Sequence, residues 1–185
     1  MKTVGSFRLG IGLFFRVIIG SLVSLLVDLS VMLIFNNPFG RMICQLLCFS
    51  ASFSLVYLKA WQAGYSDRNQ VKYDHIKENK LKGLYAGAIA VIPFLILSVL
   101  LVFFKITEAD TSYLFVYRFL NPAFMPLNYS LLPPALTLRE IGMFPVAAAA
   151  LTPLIFAVIS GFAYYIGYSE VYLSVILGLN KKKAG

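Results

Sequence analysis

The chain is short of charge, of histidine and of cysteine. Charged residues fill 13% of its 185 positions, where a soluble domain carries about a quarter. With 59% hydrophobic residues and a mean hydropathy of +0.80, so little charge excludes an ordinary water-soluble globule and puts the chain in a bilayer. His75, the one histidine, stands on a charged stretch with no cysteine nearby, so a metal site there is not expected and it reads as a solvated helix residue. Cys44 and Cys48 are the only cysteines. One helical turn apart, they share a face but have poor geometry for a disulfide. Lacking C-x-x-C spacing, further ligands or a juxtamembrane position, they read as small apolar packing residues. Membrane-protease, glycine-rich phosphate and paired-carboxylate motifs are missing too. No catalytic residues, cofactor or metal are therefore expected.

What the chain has in quantity is apolar sequence. Crossing ~30 Å of hydrocarbon takes about 20 helical residues, and four runs reach that length, over 17–35, 42–65, 84–104 and 141–168. The expected fold is an all-α integral membrane protein, a four-transmembrane-helix bundle of two helical hairpins, with 1–185 forming one polytopic domain. Asp28 interrupts the first run and no small-x-small cleavage site follows, so an uncleaved first helix is expected rather than a signal peptide. The turn residues from Asn36 to Gly40 close the first hairpin tightly. In the loop 66–83, Asp74 with Lys77 and Glu78 with Lys82 stand at helix-favouring spacings. The longer loop 105–140 carries an apolar stretch too short to cross, Thr111 to Leu120, followed by prolines at 122, 126, 133 and 134. It is expected to lie along the outer membrane surface, its aromatic rings at headgroup depth, with a re-entrant excursion as the competing reading. Asn128-Tyr129-Ser130 forms a glycosylation sequon within it. A short amphipathic segment with Lys181, Lys182 and Lys183 ends the chain beside anionic lipid.

The formal charge of +8 follows topology better than it follows a nucleic-acid partner, which is not expected. With the N-terminus inside, Lys2, Arg8, Arg16, Lys59, Arg68, Lys72, Lys77, Lys80, Lys82 and the three C-terminal lysines gather on the cytoplasmic side. Arg41, Lys105, Arg118 and Arg139 remain outside. The reading is a plasma-membrane protein with both termini cytoplasmic.

Asp28 is the first candidate site residue. It lies about 10 Å inside the first span, where an ionised carboxylate costs about 2.5 kcal/mol or more, so it must face protein or water or be protonated. Ser21 and Ser24 share its face, and Gln45, Cys48 and Ser52 make a second polar stripe on the next span at similar depth. This is either a proton or cation site or a clasp between helices. Gly83 and Gly87 form a GxxxG, and Ala149, Pro153, Ala157 and Gly161 recur at fourfold spacing, suited to close packing of spans three and four. Pro93 and Pro153 interrupt those spans.

A heptad pattern occurs twice, WQAGYSD over Trp61–Asp67 and YYIGYSE over Tyr164–Glu170. Each reads as a helix stop at the inner interface, with Trp61 and Tyr164 at the boundary, Gly64 and Gly167 in a left-handed turn, and the serines or acids capping the next helix. The alternative is duplication of a hairpin. Together these features set the functional expectation: a non-catalytic membrane protein working through another membrane protein as an accessory or assembly subunit. A small carrier or channel subunit using Asp28 is the alternative.

Overall fold

The structure is a computed structural model describing residues 5–34, 37–73, 75, 79–108, 112–133 and 135–169. The C-terminal segment with Lys181, Lys182 and Lys183, and the loop residues Asp74, Lys77 and Glu78, lie outside them. The elements are helices α1 (Ser6–Ile34), α2 (Pro38–Lys72), α3 (Lys82–Ile106) and α4 (Tyr113–Leu120), a 3-10 turn (Pro122–Phe124), then α5 (Met125–Leu131), α6 (Met143–Leu151) and α7 (Leu154–Tyr168). Among the described residues there is no strand. Among the described residues four helical stretches are long and apolar enough to cross a membrane: Ser6–Val31, Pro38–Lys72, Lys82–Ile106 and Met143–Tyr168.

These stretches overrun the apolar runs. α1 begins at Ser6 rather than at 17 and α2 continues past 65 to Lys72, because polar and basic residues propagate a helix as readily as apolar ones once it is nucleated. Gly64 therefore ends nothing; it lies inside α2. The start of α2 is fixed locally. The Asn37 Oδ1 accepts from the Gly40 amide at 2.7 Å, and Pro38 occupies the first helical position, where its missing N–H is no loss.

The fourth stretch is bent between α6 and α7 at Thr152–Pro153. Proline has no N–H for the carbonyl four residues back, and its ring crowds that carbonyl. Here the freed acceptor is Ala149 O, taken by the Thr152 hydroxyl at 2.8 Å and by the Tyr117 hydroxyl at 2.6 Å. Pro93 leaves α3 continuous.

α1 packs on α2 and α3, and α7 packs on the same two helices, which closes a square of four. Gly20 against Ser52 and Ser24 against Cys48 make α1 and α2 antiparallel. Gly83 against Tyr164 and Gly87 against Ala157 do the same for α3 and α7. Lys82, at the start of α3, pairs with Asp67 near the end of α2, so α2 and α7 finish at the same end of the bundle and run parallel. That end also holds Arg8 and Lys59 and is the basic end of the bundle. The core between the four helices includes Leu13, Val17, Val56, Ala90, Phe156 and Tyr164.

At the opposite end, α4, the 3-10 turn and α5 fold onto the bundle. A second core, with Leu101, Leu114, Tyr117, Leu132 and Val146, fills the space beneath them. Tyr117 is fully buried and Phe115 and Phe119 are exposed, their rings stacked 6.3 Å apart. Tyr117 thus does not join its neighbours on an aromatic outer face, because its hydroxyl is spent on Ala149. Asn128 is fully buried, so its sequon is closed to glycosylation in the folded chain. His75 is exposed in a bend rather than a helix.

Candidate functional site

The seam between α1 and α2 begins at Gly20. A Cβ there would stand 2.8 Å from the Ser52 Cα, so the missing side chain lets the two backbones close on each other. Ser24 then reaches across. Its hydroxyl donates to Cys48 O at 3.0 Å and lies 3.0 Å from the Ser52 hydroxyl. A serine has one proton to give. With that proton on Cys48 O, Ser52 is the donor to Ser24. The Cys48 thiol returns to Ser24 O at 3.3 Å, and one turn further the Cys44 thiol donates to Asp28 Oδ1 at 3.4 Å. Both cysteines are free, their sulfurs 3.9 Å apart.

Asp28, Ser24 and Ser52 are thus brought together, with the two thiols between them. Gln45 and Ser21 are not part of the group. Gln45 clamps the 3-10 turn and α5 to α2: its Nε2 donates to Ala123 O at 3.0 Å and its Oε1 accepts from the Leu127 amide at 2.9 Å. Ser21 lines an apolar groove with Phe14, Pro93 and Phe94. Among the described residues, no group of three or more His, Cys, Asp or Glu side chains is placed to hold a metal ion.

At the basic end the two repeated heptads meet. A Cβ on Gly64 would lie 2.1 Å from Tyr164 O, and one on Gly167 would lie 2.2 Å from Trp61 O. Each glycine of one heptad therefore faces the opening aromatic residue of the other. Their shared requirement is absence of a side chain at a helix crossing, and neither glycine forms a left-handed stop. Tyr164, expected at the interface, is instead buried. Its hydroxyl donates to Asp67 Oδ2 at 2.7 Å, and Lys82 Nζ binds the same oxygen at 2.5 Å. Asp67, Lys82 and Tyr164 thereby tie α2, α3 and α7 together.

The small residues of α3 and α7 divide likewise. Gly83 and Gly87 lie under Tyr164, Ala157 and Ser160, Gly161 lies against Leu84, and the Ser160 hydroxyl donates to Gly83 O at 2.9 Å. Ala149 belongs to the second core, where its carbonyl serves the proline bend.

The opposite end holds a second polar group. Arg118 is buried, donates through Nη2 to Leu132 O and stands over the Tyr129 ring, 5.5 Å from its centroid. Burial pulls its guanidinium below the usual arginine range. Burial also raises the Tyr129 hydroxyl, with Asp28 adding to the shift. Tyr129, Arg41 and Gln45 line an open cavity of about 550 Å³. The Arg118 Nε and both amide atoms of Asn128 are buried without a partner among the described residues.

Nothing in the sequence marks Arg118 and Asn128 as buried polar residues. For Asp67 and Tyr164 a signal existed, since they close one heptad and open the other, and the recurrence itself marks the place where the two helices touch. In class the described residues form an all-helical protein with four helices long and apolar enough to cross a membrane, packed around polar seams. The chain matches no family model, no curated protein sequence and no solved structure.

Proposed function

We propose that the chain is a non-catalytic membrane protein that acts through a partner membrane protein, as an accessory or assembly subunit. What supports this reading is the use made of its intramembrane polar groups. Ser24, Ser52, Cys44, Cys48 and Asp28 bond to one another across α1 and α2, and Asp67, Lys82 and Tyr164 bond across three helices. Each such bond contributes about 0.6–2 kcal/mol to helix association. Polar side chains committed to holding the bundle leave its outer faces as the working surface.

In this reading α1 with α2, and α3 with α6 and α7, are two hairpins crossing the plasma membrane. The basic end faces the cytoplasm, with both termini there, and 105–140 lies at the outer surface. Site-specific photo-cross-linking tests it, with the probe placed at exposed apolar positions on three helices, Phe15, Phe103 and Val158. One face is expected to capture a protein while the others capture lipid. Capture of lipid alone from every face contradicts the proposal.

A second reading, a carrier or channel subunit built on Asp28, is favoured by one observation. Among the described residues the Asp28 carboxylate has only the Cys44 thiol as its side-chain donor, a weak partner for an ion. Uptake by the Asp28→Asn variant in proteoliposomes decides between them. Unchanged flux removes the carrier reading.

A further inference from the structure

At the basic end, on the outer side of the α1–α2 seam, lies an open cavity of about 730 Å³. This is within the ~300–1,000 Å³ usual for small-ligand sites. Lys59, Gln62 and Ser66 fall on one face of α2, and Arg8 faces them from the start of α1. Gly12 makes room for this. A Cβ there would meet Lys59 Cε at 3.5 Å, so the lysine stem runs along bare helix backbone.

The charge in the cavity is one-sided. Among the described residues Asp67 is the sole acid in its wall, and its Oδ2 is already held by Lys82 and Tyr164. Counting that pair as neutral leaves Arg8 and Lys59 uncompensated among the described residues, beside a hydroxyl and a carboxamide that also donate hydrogen bonds. Such a set suits the oxygens of a phosphate. The other wall is apolar, formed by Leu9, Ile11 and Ala63. From Ile11 the exposed apolar face of α1 continues through Phe15 and Leu22 along the length of the bundle. Polar head and apolar runway meet at one place, on the flank of helices long enough to span a bilayer.

We propose that this cavity binds the phosphate headgroup of an anionic lipid, with the acyl chains lying along α1. Basic clefts between membrane helices hold acidic headgroups in this way. The proposal rests on Arg8 and Lys59 rather than on the three C-terminal lysines, and it does not depend on the partner proposal.

Thermal unfolding of the detergent-solubilised chain tests it, read against added phosphatidylglycerol, phosphatidylcholine or free glycerol phosphate. Phosphatidylglycerol is expected to raise the midpoint and phosphatidylcholine is not. In the Arg8→Gln/Lys59→Gln variant the lipid concentration for half the effect should rise roughly thirtyfold, the effect of losing two cations near an anionic headgroup. The Arg8→Lys and Lys59→Arg variants keep the charge and should keep most of the response, which separates loss of the site from misfolding. The Lys181→Gln/Lys182→Gln/Lys183→Gln variant should respond as the parent does. No response by the parent chain, or an equal response by the double variant, overturns the site. An equal shift with glycerol phosphate alone overturns the lipid as its source and puts a soluble phosphate in its place.

Discussion

Gly64 on α2 and Tyr164 on α7 meet where the glycine has no side chain: a methyl group on it would sit 2.1 Å from the tyrosine carbonyl oxygen. Gly167 stands in the same relation to Trp61 at 2.2 Å. Two short stretches of like sequence thus make a reciprocal contact, each supplying the gap the other fills. Both helices finish at the same end, so a pseudo-twofold axis through this crossing would run along the bundle.

Gly64→Ala and Gly167→Ala should each destabilise the bundle by about 1–3 kcal/mol or more, since rigid backbone must move to admit the methyl. Gly142→Ala is the control, with its nearest neighbour the Pro145 ring at 3.6 Å. A thermal unfolding midpoint lowered by the first two and unmoved by the third is the expected result.

Lys82→Met should be worse than it looks from a residue so near a helix start. Only 11% of its side chain and 5% of that of Asp67 are exposed, and removing one member strands the other as a buried charge, which costs about 3–5 kcal/mol. Asp67→Leu combined with Lys82→Met should recover much of that loss. Detergent-denaturation curves of the two single variants and the double variant measure it.

Ser24→Ala and Ser52→Ala should couple in a double-mutant cycle, because their hydroxyls share one bond. Ser24→Ala with Gln45→Ala should be additive within about 0.3–0.5 kcal/mol, since Gln45 bonds to the 3-10 turn and α5 and not to α1.

Cys44 and Cys48 are fully buried and should resist a membrane-permeant maleimide until the chain is denatured in dodecyl sulfate. Labelling of either thiol in the native protein would mean that the α1–α2 seam opens.

Glu140 offers a pH test on the connecting segment. Its carboxylate accepts from the Thr137 amide at 2.7 Å and the Thr137 hydroxyl at 3.0 Å, which holds it below the usual carboxylate range. A lowered folded pKa favours the structured turn at neutral pH, and that preference is lost as the pH falls through the folded pKa. The Thr137 amide resonance should shift with this acid transition and lose it in Glu140→Gln.

The four apolar stretches were legible because hydropathy is a local property, and the Ser24–Asp28 stripe because a helix stacks residues four apart. The role of Gly64 was not. A glycine that ends a helix and one that admits a neighbouring backbone look alike in sequence, and only the approach of α7 distinguishes them. In sequence Asp67 reads as a helix cap and Lys82 as a partner of Glu78, since their burial depends on Tyr164, 97 residues from Asp67. Gln45 lay on the expected stripe, yet its partners sit on a segment whose path the prolines leave unreadable. Boundaries failed where helices continue beyond their apolar stretch, at Ser6 and Lys72.

Native mass measurement of the particle extracted from its own membrane in mild detergent tests the proposed role most directly. A subunit that works through a partner predicts a mass exceeding the 20.6 kDa of this chain by that of a different polypeptide in fixed ratio. A particle of 20.6 kDa or an integer multiple of it would contradict that role.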